Sequence, residues 1–86
     1  MTIKYSIVIP CFNEAPSIPI LIEQISNLNK DNNIEFILVN NGSIDSTKEI
    51  FKLDDTEGIV KMNLPENAGY GGGIKAGIKL AKGEYI

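Results

Sequence analysis

The chain has 86 residues, a net charge of −3 and a single cysteine. It is long enough for one domain, which at this size buries only about 60% of the surface that its unfolded form exposes. The acidic balance argues against nucleic acid as a partner, because no basic patch can neutralise a run of phosphates. All of the positive charge is lysine, so chemistry that needs an imidazole base or a guanidinium clamp cannot come from this chain alone.

Cys11 excludes an internal disulfide, which is typical of a reducing cytoplasm. We interpret it as a small apolar residue at a strand end. The N-terminus lacks the pattern of a signal peptide, and the longest apolar run is far below the ~20 residues of a membrane helix. We therefore expect a soluble protein of the cytoplasm.

The first half of the chain predicts a strand, a helix and a second strand. Residues 3–9 form an apolar strand that Pro10 is expected to end, because proline cannot donate to a ladder. Residues 17–28 carry apolar side chains at spacings of three and four, which is typical of a helix. Residues 34–39 are an unbroken apolar run and predict a strand buried on both faces.

The second half predicts a helix, a strand and another helix. Ser46-Thr47-Lys48-Glu49 matches the capping box that starts a helix, here over residues 47–53. Residues 59–64 predict the third strand. A loop through Gly69-Tyr70-Gly71-Gly72-Gly73 is then expected to lead into a helix that continues to about Lys82.

The order of these elements defines the fold class. Alternating strands and helices predict an α/β fold with a three-layer, Rossmann-like parallel sheet and right-handed crossovers. Residues 84–86 resemble the start of a fourth strand. We therefore expect one domain, residues 1–86, that is truncated at this strand and is the first part of something larger.

Polar or glycine-rich segments follow each predicted strand. The carboxyl ends of parallel strands share one edge, so these segments should converge there. Asn40, Asn41 and Ser43 are expected to form one wall of a nucleotide pocket, where Asn41 can pair with a base edge. Glu14 can accept hydrogen bonds from ribose hydroxyls. The glycine run allows close backbone approach, and the next helix N-terminus offers amides to negative charge.

Each of these features also has a simpler interpretation. Asn40-Asn41-Gly42 is a common turn composition, and Asn13-Glu14 can merely start a helix. Lys75 can be an ordinary solvated lysine. The segment Gly71-x-Gly73-x-x-Ala76 matches a dinucleotide fingerprint, which would indicate a nicotinamide-dependent oxidoreductase. That fold places its glycines after the first strand, however, and not after the third.

Three ordered segments carry a resemblance: SIVIPCFNEAPSI, IEFILVNNGSIDST and NLPENAGYGGGIKAGIKLAKGEYI. They resemble the start of family 2 glycosyltransferases with the GT-A fold, over essentially the whole chain. The first and third are similar to the polyprenyl-phosphate sugar transferases of that family. From position and resemblance together, the residues expected to bind a nucleotide-diphosphate sugar are Pro10, Phe12, Glu14, Val39, Asn41, Ser43, Asn67, Gly71 and Lys75.

The resemblance also implies what the 86 residues lack. In this family the segment Gly-Glu-Tyr-Ile is followed by an Asp-x-Asp motif that holds a divalent metal, Mg or Mn, and later by the catalytic base. We expect no catalytic and no metal-binding residue here, so the isolated chain should not transfer sugar.

The resemblance further implies an inverting enzyme of cell-surface polysaccharide biosynthesis, with a lipid-linked acceptor or peripheral membrane attachment when intact. UDP is the expected nucleotide, because Asn41 can match uracil N3–H and O4, whereas guanine's adjacent donors suit a carboxylate better. A non-catalytic alternative is a truncated chain that self-associates through an exposed sheet edge.

Overall fold

Three parallel strands alternate with helices in the computed structural model, which describes residues 3–28, 33–54, 56, 58–83 and 85–86. The strands pair in the order β1-β2-β3. In chain order the elements are β1 (Tyr5–Cys11), a 3-10 helix (Ala15–Ser17), α1 (Ile18–Leu28), β2 (Ile34–Asn41), α2 (Thr47–Leu53), β3 (Ile59–Leu64) and α3 (Gly69–Leu80). The predicted α/β class and parallel sheet are confirmed.

One face of the sheet carries the main hydrophobic core. Phe36 and Leu38 of β2 point to this face, because alternate side chains of a strand share one side. They cluster there with Ile18 and Ile25 of α1 and with Phe51 of α2. Burial of these side chains, worth roughly 1.5–3 kcal/mol each, holds α1 and α2 on the sheet.

The opposite face is covered by α3, which completes the predicted three layers. This helix approaches the strands closely at Gly77, where an added Cβ would lie 2.3 Å from Val8 Cγ1 and 3.1 Å from Val39 Cγ2. A side chain at this position therefore has no room unless the helix moves away. Close contact between α3 and β2 in turn fixes the start of the helix relative to the strand ends.

The prediction that Pro10 ends the first strand was wrong, because β1 continues to Cys11. The reason lies in the direction of the backbone N–H groups. Ser6 N donates to Tyr85 O at 2.8 Å, on the side of β1 that faces away from β2. Pro10 lies four residues further on, so the N–H that it lacks would point to this same side and its absence costs no bond to β2.

The second strand is also longer than predicted. Asn40 and Asn41 belong to β2 and pair with Asn63 and Leu64 of β3, whereas both had been expected in the following loop. Both are buried. Their side-chain amides find hydrogen-bond partners within the fold, which allows polar residues to extend an otherwise apolar strand.

The helix predictions were correct in position but not in every detail. Helix α2 covers residues 47–53 as predicted, yet Ser46 makes no capping hydrogen bond. The carboxylate of Asp45 accepts from Thr47 N at 3.0 Å and from Thr47 Oγ1 at 2.5 Å instead. These bonds, led by the one from the Thr47 hydroxyl, lower the pKa of Asp45, so it remains a charged cap. Leu28, expected on the buried face of α1, is exposed.

Helix α3 starts at Gly69, the first residue of the glycine run, and stops at Leu80, before Lys82. The run is therefore helical and not the predicted loop. Of the expected fourth strand, Glu84 lies outside the described residues. Tyr85 pairs in parallel with Tyr5 on the side of β1 that faces away from β2, which we call the free side of β1 because no named strand in the described part of the chain pairs there. No helix among the described residues is long and apolar enough to cross a membrane.

Candidate functional site

A cleft of about 330 Å³ lies at the carboxyl edge of the sheet. It is built from the end of β1 and the loop after it, the end of β2, the loop after β3 and the first turn of α3. The lining residues are Pro10, Cys11, Phe12, Glu14, Asn41, Asn67 and Tyr70. Parallel α/β sheets bind ligands at this edge, because several loops converge there.

Side chains from the loop after β2 hold the loop after β1 in place. Asn13 N donates to Ser43 Oγ at 2.9 Å, and Ile44 N donates back to Asn13 Oδ1 at 2.8 Å. Ala15 N donates to Asp45 Oδ2 at 3.1 Å. Asn13 adopts a φ of +50°, a conformation that asparagine tolerates better than most residues. The loop after β1, which contributes Phe12 and Glu14 to the cleft, is thus tied to the loop after β2.

Asn41 joins the end of β2 to the start of α3. Its Oδ1 accepts from Ala68 N and its Nδ2 donates to Gly69 O, both at 2.9 Å. These two bonds also fix which end of the amide is oxygen, since the reversed orientation would satisfy neither. One lone pair and one N–H remain unused on a side chain whose residue is only 4% exposed.

Gly42 allows the loops after β2 and β3 to touch. Its φ is +72°, and a Cβ there would lie 2.2 Å from the backbone nitrogen of Asn67. Both the backbone angle and the contact exclude a larger residue. The loop after β2 and the loop that leads into α3 are therefore in direct contact at Gly42.

The first turn of α3 presents backbone amides next to the cleft. Asn67 Oδ1 accepts from Gly69 N at 2.6 Å. The N–H groups of Tyr70 and Gly71 have no acceptor among the described residues, as expected for the first turn of a helix. Such a turn carries partial positive charge and favours anions.

The structure brings together five of the predicted site residues and separates the others from the cleft. Those that line it are Pro10, Phe12, Glu14, Asn41 and Asn67. Val39 lies buried beneath α3, and Gly71 and Lys75 lie on exposed surface of that helix. Ser43 lines a neighbouring depression with Asn40 and Lys48.

Sequence reasoning missed two of the lining residues, Cys11 and Tyr70. Cys11 was assigned to packing alone, and its residue is indeed only 2% exposed. Tyr70 had a usable signal, since a large aromatic residue in the middle of a glycine run has no neighbouring side chains to pack against.

The charged side chain that lines the cleft is negative. Glu14 is the charged side chain among the lining residues that the structure describes. Burial and, to a smaller extent, the negative charge of Glu14 together raise the pKa of Cys11 to about 11. The thiol is therefore neutral at physiological pH and is not a nucleophile.

The described residues also offer no ready metal site. Within them no group of three or more His, Cys, Asp or Glu side chains converges closely enough to hold a metal ion. The carboxylate of Glu14 by itself does not match the oxygen-rich ligand set that Mg²⁺ requires. The arrangement fits recognition of a polar, partly planar molecule.

Sequence comparisons show which known proteins the chain is similar to. The chain is 39% identical over 96% of its length to an undecaprenyl-phosphate 4-deoxy-4-formamido-L-arabinose transferase of Yersinia enterocolitica. It is 31% identical over 99% of its length to a dolichyl-phosphate beta-glucosyltransferase of Trichomonas vaginalis. It is also 31% identical over 88% of its length to a poly-beta-1,6-N-acetyl-D-glucosamine synthase of Staphylococcus aureus.

The chain spans 27% of the length of the Yersinia relative, 29% of the Trichomonas relative and 18% of the Staphylococcus relative. The sequence profile of glycosyl transferase family 2 matches residues 6–86, which include every strand end that contributes to the cleft. The predicted resemblance is thus confirmed, and the chain belongs to glycosyl transferase family 2.

Proposed function

We propose that this chain is the nucleotide-diphospho-sugar-binding part of an inverting family 2 glycosyltransferase and that the cleft receives the nucleoside. The observation that carries the proposal is the convergence of three strand ends on one cleft. The lining combines the apolar side chains of Pro10 and Phe12 with Glu14, Asn41 and Asn67, which can form hydrogen bonds. A nucleoside needs both kinds of surface.

Each side chain has a role that its chemistry supports. Phe12, 45% exposed, offers a ring face to the base, and Pro10 extends that apolar wall. The carboxylate of Glu14 accepts hydrogen bonds from the ribose hydroxyls. The amides at the start of α3, that of Gly71 included, and the exposed cation of Lys75 lie on the side where the diphosphate would leave the cleft.

UDP is the proposed form of the nucleotide. Asn41 keeps one lone pair and one N–H after its two bonds to the start of α3, and these match uracil N3–H and O4. Guanine presents two adjacent donors, which a single amide oxygen cannot satisfy. The discrimination rests on Asn41 because the described lining offers no second amide from β2.

We further propose that the 86 residues bind donor without transferring sugar. Departure of a nucleoside diphosphate requires its developing charge to be offset, commonly by a divalent metal. The described residues do not form a site for Mg or Mn, and the sequence contains no histidine to act as a base. Metal and base would come from residues beyond these in the intact enzyme.

The acceptor proposed for the intact enzyme is a lipid-linked phosphate. Two of the relatives are named for dolichyl and undecaprenyl phosphate. A third is named for synthesis of a polysaccharide. These names support a role in cell-surface polysaccharide biosynthesis. We propose that the intact enzyme acts at the cytoplasmic face of a membrane, where the donor-binding cleft would remain in water.

Calorimetric titration of the 86-residue chain tests the proposal. UDP should bind more tightly than GDP, and Glu14→Ala should weaken UDP by about 1.5–3 kcal/mol through loss of a charged hydrogen-bond acceptor. Glu23→Ala removes an equal charge from the exposed side of α1 and should leave binding unchanged. A preference for GDP would overturn the choice of base, and sugar transfer or donor hydrolysis by the chain would overturn the proposed inactivity.

A second candidate property is self-association through the free side of β1. A groove there is lined by apolar residues of β1 and α3, including Ile7, Ile74 and Ile78, together with Ile86. Exposed backbone of an edge strand readily pairs with a second copy. Sedimentation velocity would show a concentration-dependent dimer, whereas a monomer at all concentrations would exclude it.

The nicotinamide alternative gains no support from the structure. The segment from Gly71 to Ala76 lies inside α3 and follows β3. A dinucleotide fingerprint forms the turn between the first strand and its helix, where the backbone approaches a pyrophosphate. That turn is occupied here by the loop of Phe12 and Glu14.

A further inference from the structure

The aromatic side chains of this protein fall into three groups, and only one of them lacks an internal explanation. Phe36 and Phe51 are buried in the core. Tyr5 and Tyr85 are exposed but lie against each other, with ring centroids 5.7 Å apart. The remaining pair, made up of one phenylalanine and one tyrosine, lines the cleft.

Tyr70 is the more exposed member of that cleft pair, at 75%. Its hydroxyl makes no hydrogen bond and its ring makes no aromatic contact with the described residues. An exposed aromatic side chain of this size, at the edge of a cleft, gains nothing from folding. Tyrosine is enriched at interfaces, because its apolar ring and its hydroxyl can both contact a partner.

The backbone next to Tyr70 is fixed, and the space around the glycines on either side of it is open. Gly69 and Gly71 flank it, and at both positions there is no atom within 4 Å of an added Cβ. The turn itself is fixed, because Asn41 bonds to Ala68 N and Gly69 O immediately before Tyr70. Because the backbone that carries Tyr70 is already ordered, a planar ligand that contacts the ring need not order this turn of the chain.

We infer that Tyr70 forms the second aromatic wall of the cleft and stacks on the nucleobase, opposite the wall that contains Phe12. The inference rests on the proposed nucleoside binding and adds a residue to it. Stacking does not depend on the hydrogen-bonding pattern of a base. Tyr70 therefore contributes affinity for any nucleobase, whereas the choice between bases stays with Asn41.

The two hydrogen bonds from Asn41 to the start of α3 give this residue a structural role in addition to its role in base recognition. By holding the turn that carries Tyr70, Asn41 sets the position of the aromatic wall as well as presenting its own amide. Asn41 is thus a positioning residue for Tyr70. The Asn41 side chain therefore contributes both to the choice of base and to the position of the ring that stacks on it.

The test is titration of UDP, GDP and inorganic pyrophosphate into wild type, Tyr70→Ala and Tyr70→Phe. Tyr70→Ala should weaken UDP and GDP by the same factor, about 5- to 150-fold, which corresponds to the usual stacking contribution per base. It should leave pyrophosphate unchanged, since that probe has no base. Tyr70→Phe keeps the ring and should bind UDP like wild type.

A spectroscopic readout separates stacking from a merely structural role. UDP should quench the tyrosine emission of wild type but not that of Tyr70→Phe, whose remaining tyrosines, Tyr5 and Tyr85, lie at the distant edge of the sheet. Leu53→Ala, which removes an equally exposed apolar side chain from α2, is the matched control and should bind normally.

The possible outcomes distinguish this inference from the function on which it rests. Wild-type affinity for UDP in Tyr70→Ala, together with weakened affinity in Phe12→Ala, would overturn the role of Tyr70 and leave nucleotide binding intact. Equal loss of UDP and pyrophosphate in Tyr70→Ala would also overturn it, because it would indicate a disturbed helix. Absence of nucleotide binding by wild type would overturn both.

Discussion

Close packing of α3 on the sheet gives a prediction that can be worked out from one contact. In Gly77→Ala the new methyl group would lie 2.3 Å from Val8 Cγ1, well inside van der Waals distance. Valine is stiff about χ1, so either that side chain leaves its preferred rotamer or the helix moves outward. Overpacking of this kind typically costs about 1–3 kcal/mol.

The same substitution at Gly71 serves as the matched control. Gly71 lies in the same helix, and a Cβ there meets no atom within 4 Å. Both changes gain the helix propensity of alanine, up to about 1 kcal/mol, so the difference between the variants isolates the clash. Gly71→Ala should be more stable than wild type, and Gly77→Ala should be less stable than Gly71→Ala by about 1–3 kcal/mol.

Thermal and urea unfolding followed by circular dichroism measure this difference. For a chain of this size, 1 kcal/mol corresponds to a shift in Tm of roughly 4–8 °C. The two variants should therefore differ in Tm by at least about 4 °C, with similar urea m-values. Equal stability would refute the reasoning, since it would mean that α3 does not pack on β1 and β2 at the observed distance.

Three further predictions concern two carboxylates away from the cleft, Asp54 and Glu35, and the buried thiol of Cys11. Burial by itself raises the pKa of Asp54, but hydrogen bonds from Lys61 and from a neighbouring threonine, together with the charge of Lys61, lower this pKa overall. The resulting stabilisation is present above the unfolded pKa of 3.8 and is lost as the pH falls through the lower folded pKa. Acid should therefore reduce the Tm of wild type more than that of Asp54→Asn. Glu35 is 3% exposed and accepts from Lys82 N at 2.8 Å, so Glu35→Ala should lower the free energy of unfolding by about 1–3 kcal/mol in a urea titration. The raised pKa of Cys11, about 11, predicts alkylation by iodoacetamide at pH 8 about two orders of magnitude slower than that of an unperturbed thiol.

Each of these predictions has its own control. Parallel acid profiles of wild type and Asp54→Asn would show that the ion pair with Lys61 does not contribute. Glu66→Ala removes an exposed carboxylate and should leave the free energy of unfolding unchanged. If Glu35→Ala also left it unchanged, a structural role for Glu35 would be contradicted. For Cys11 the reference is glutathione under the same conditions, and equal rates would contradict its burial.

The sequence predicted the architecture well because the signals for it are local. The unbroken apolar run that begins at Ile34 and the helical spacing from Ile18 to Ile25 each depend on residues close together in the chain. Even the exact bounds of α2 followed from such a pattern. Alternation of these elements then leaves few topologies other than a parallel sheet.

The ends of the elements were less predictable because they depend on partners far away in sequence. Pro10 remains in β1 since its missing N–H would face away from β2, which only the paired sheet reveals. Asn41 remains in β2 because Ala68 and Gly69, distant in sequence, satisfy its amide. Tertiary hydrogen bonds overrode the local preference of asparagine for turns.

The candidate site was predicted in outline because its position depends on the topology of the sheet. Topology alone places Phe12, Asn41 and Asn67 at one edge of the sheet, and the structure brings all three to the cleft. Topology does not show which face of a helix turns toward a ligand. That is why Lys75 was included although it does not line the cleft, and why Tyr70 was omitted.

The most direct test of the account is an NMR titration of the isotope-labelled chain with UDP. If the cleft binds the nucleoside, the largest backbone amide shifts should map to Phe12, Glu14, Asn41 and Tyr70, with little change at Tyr85. Saturable shifts confined to these cleft residues are the predicted result. Shifts at the free side of β1, or no shifts at millimolar UDP, would contradict the central claim.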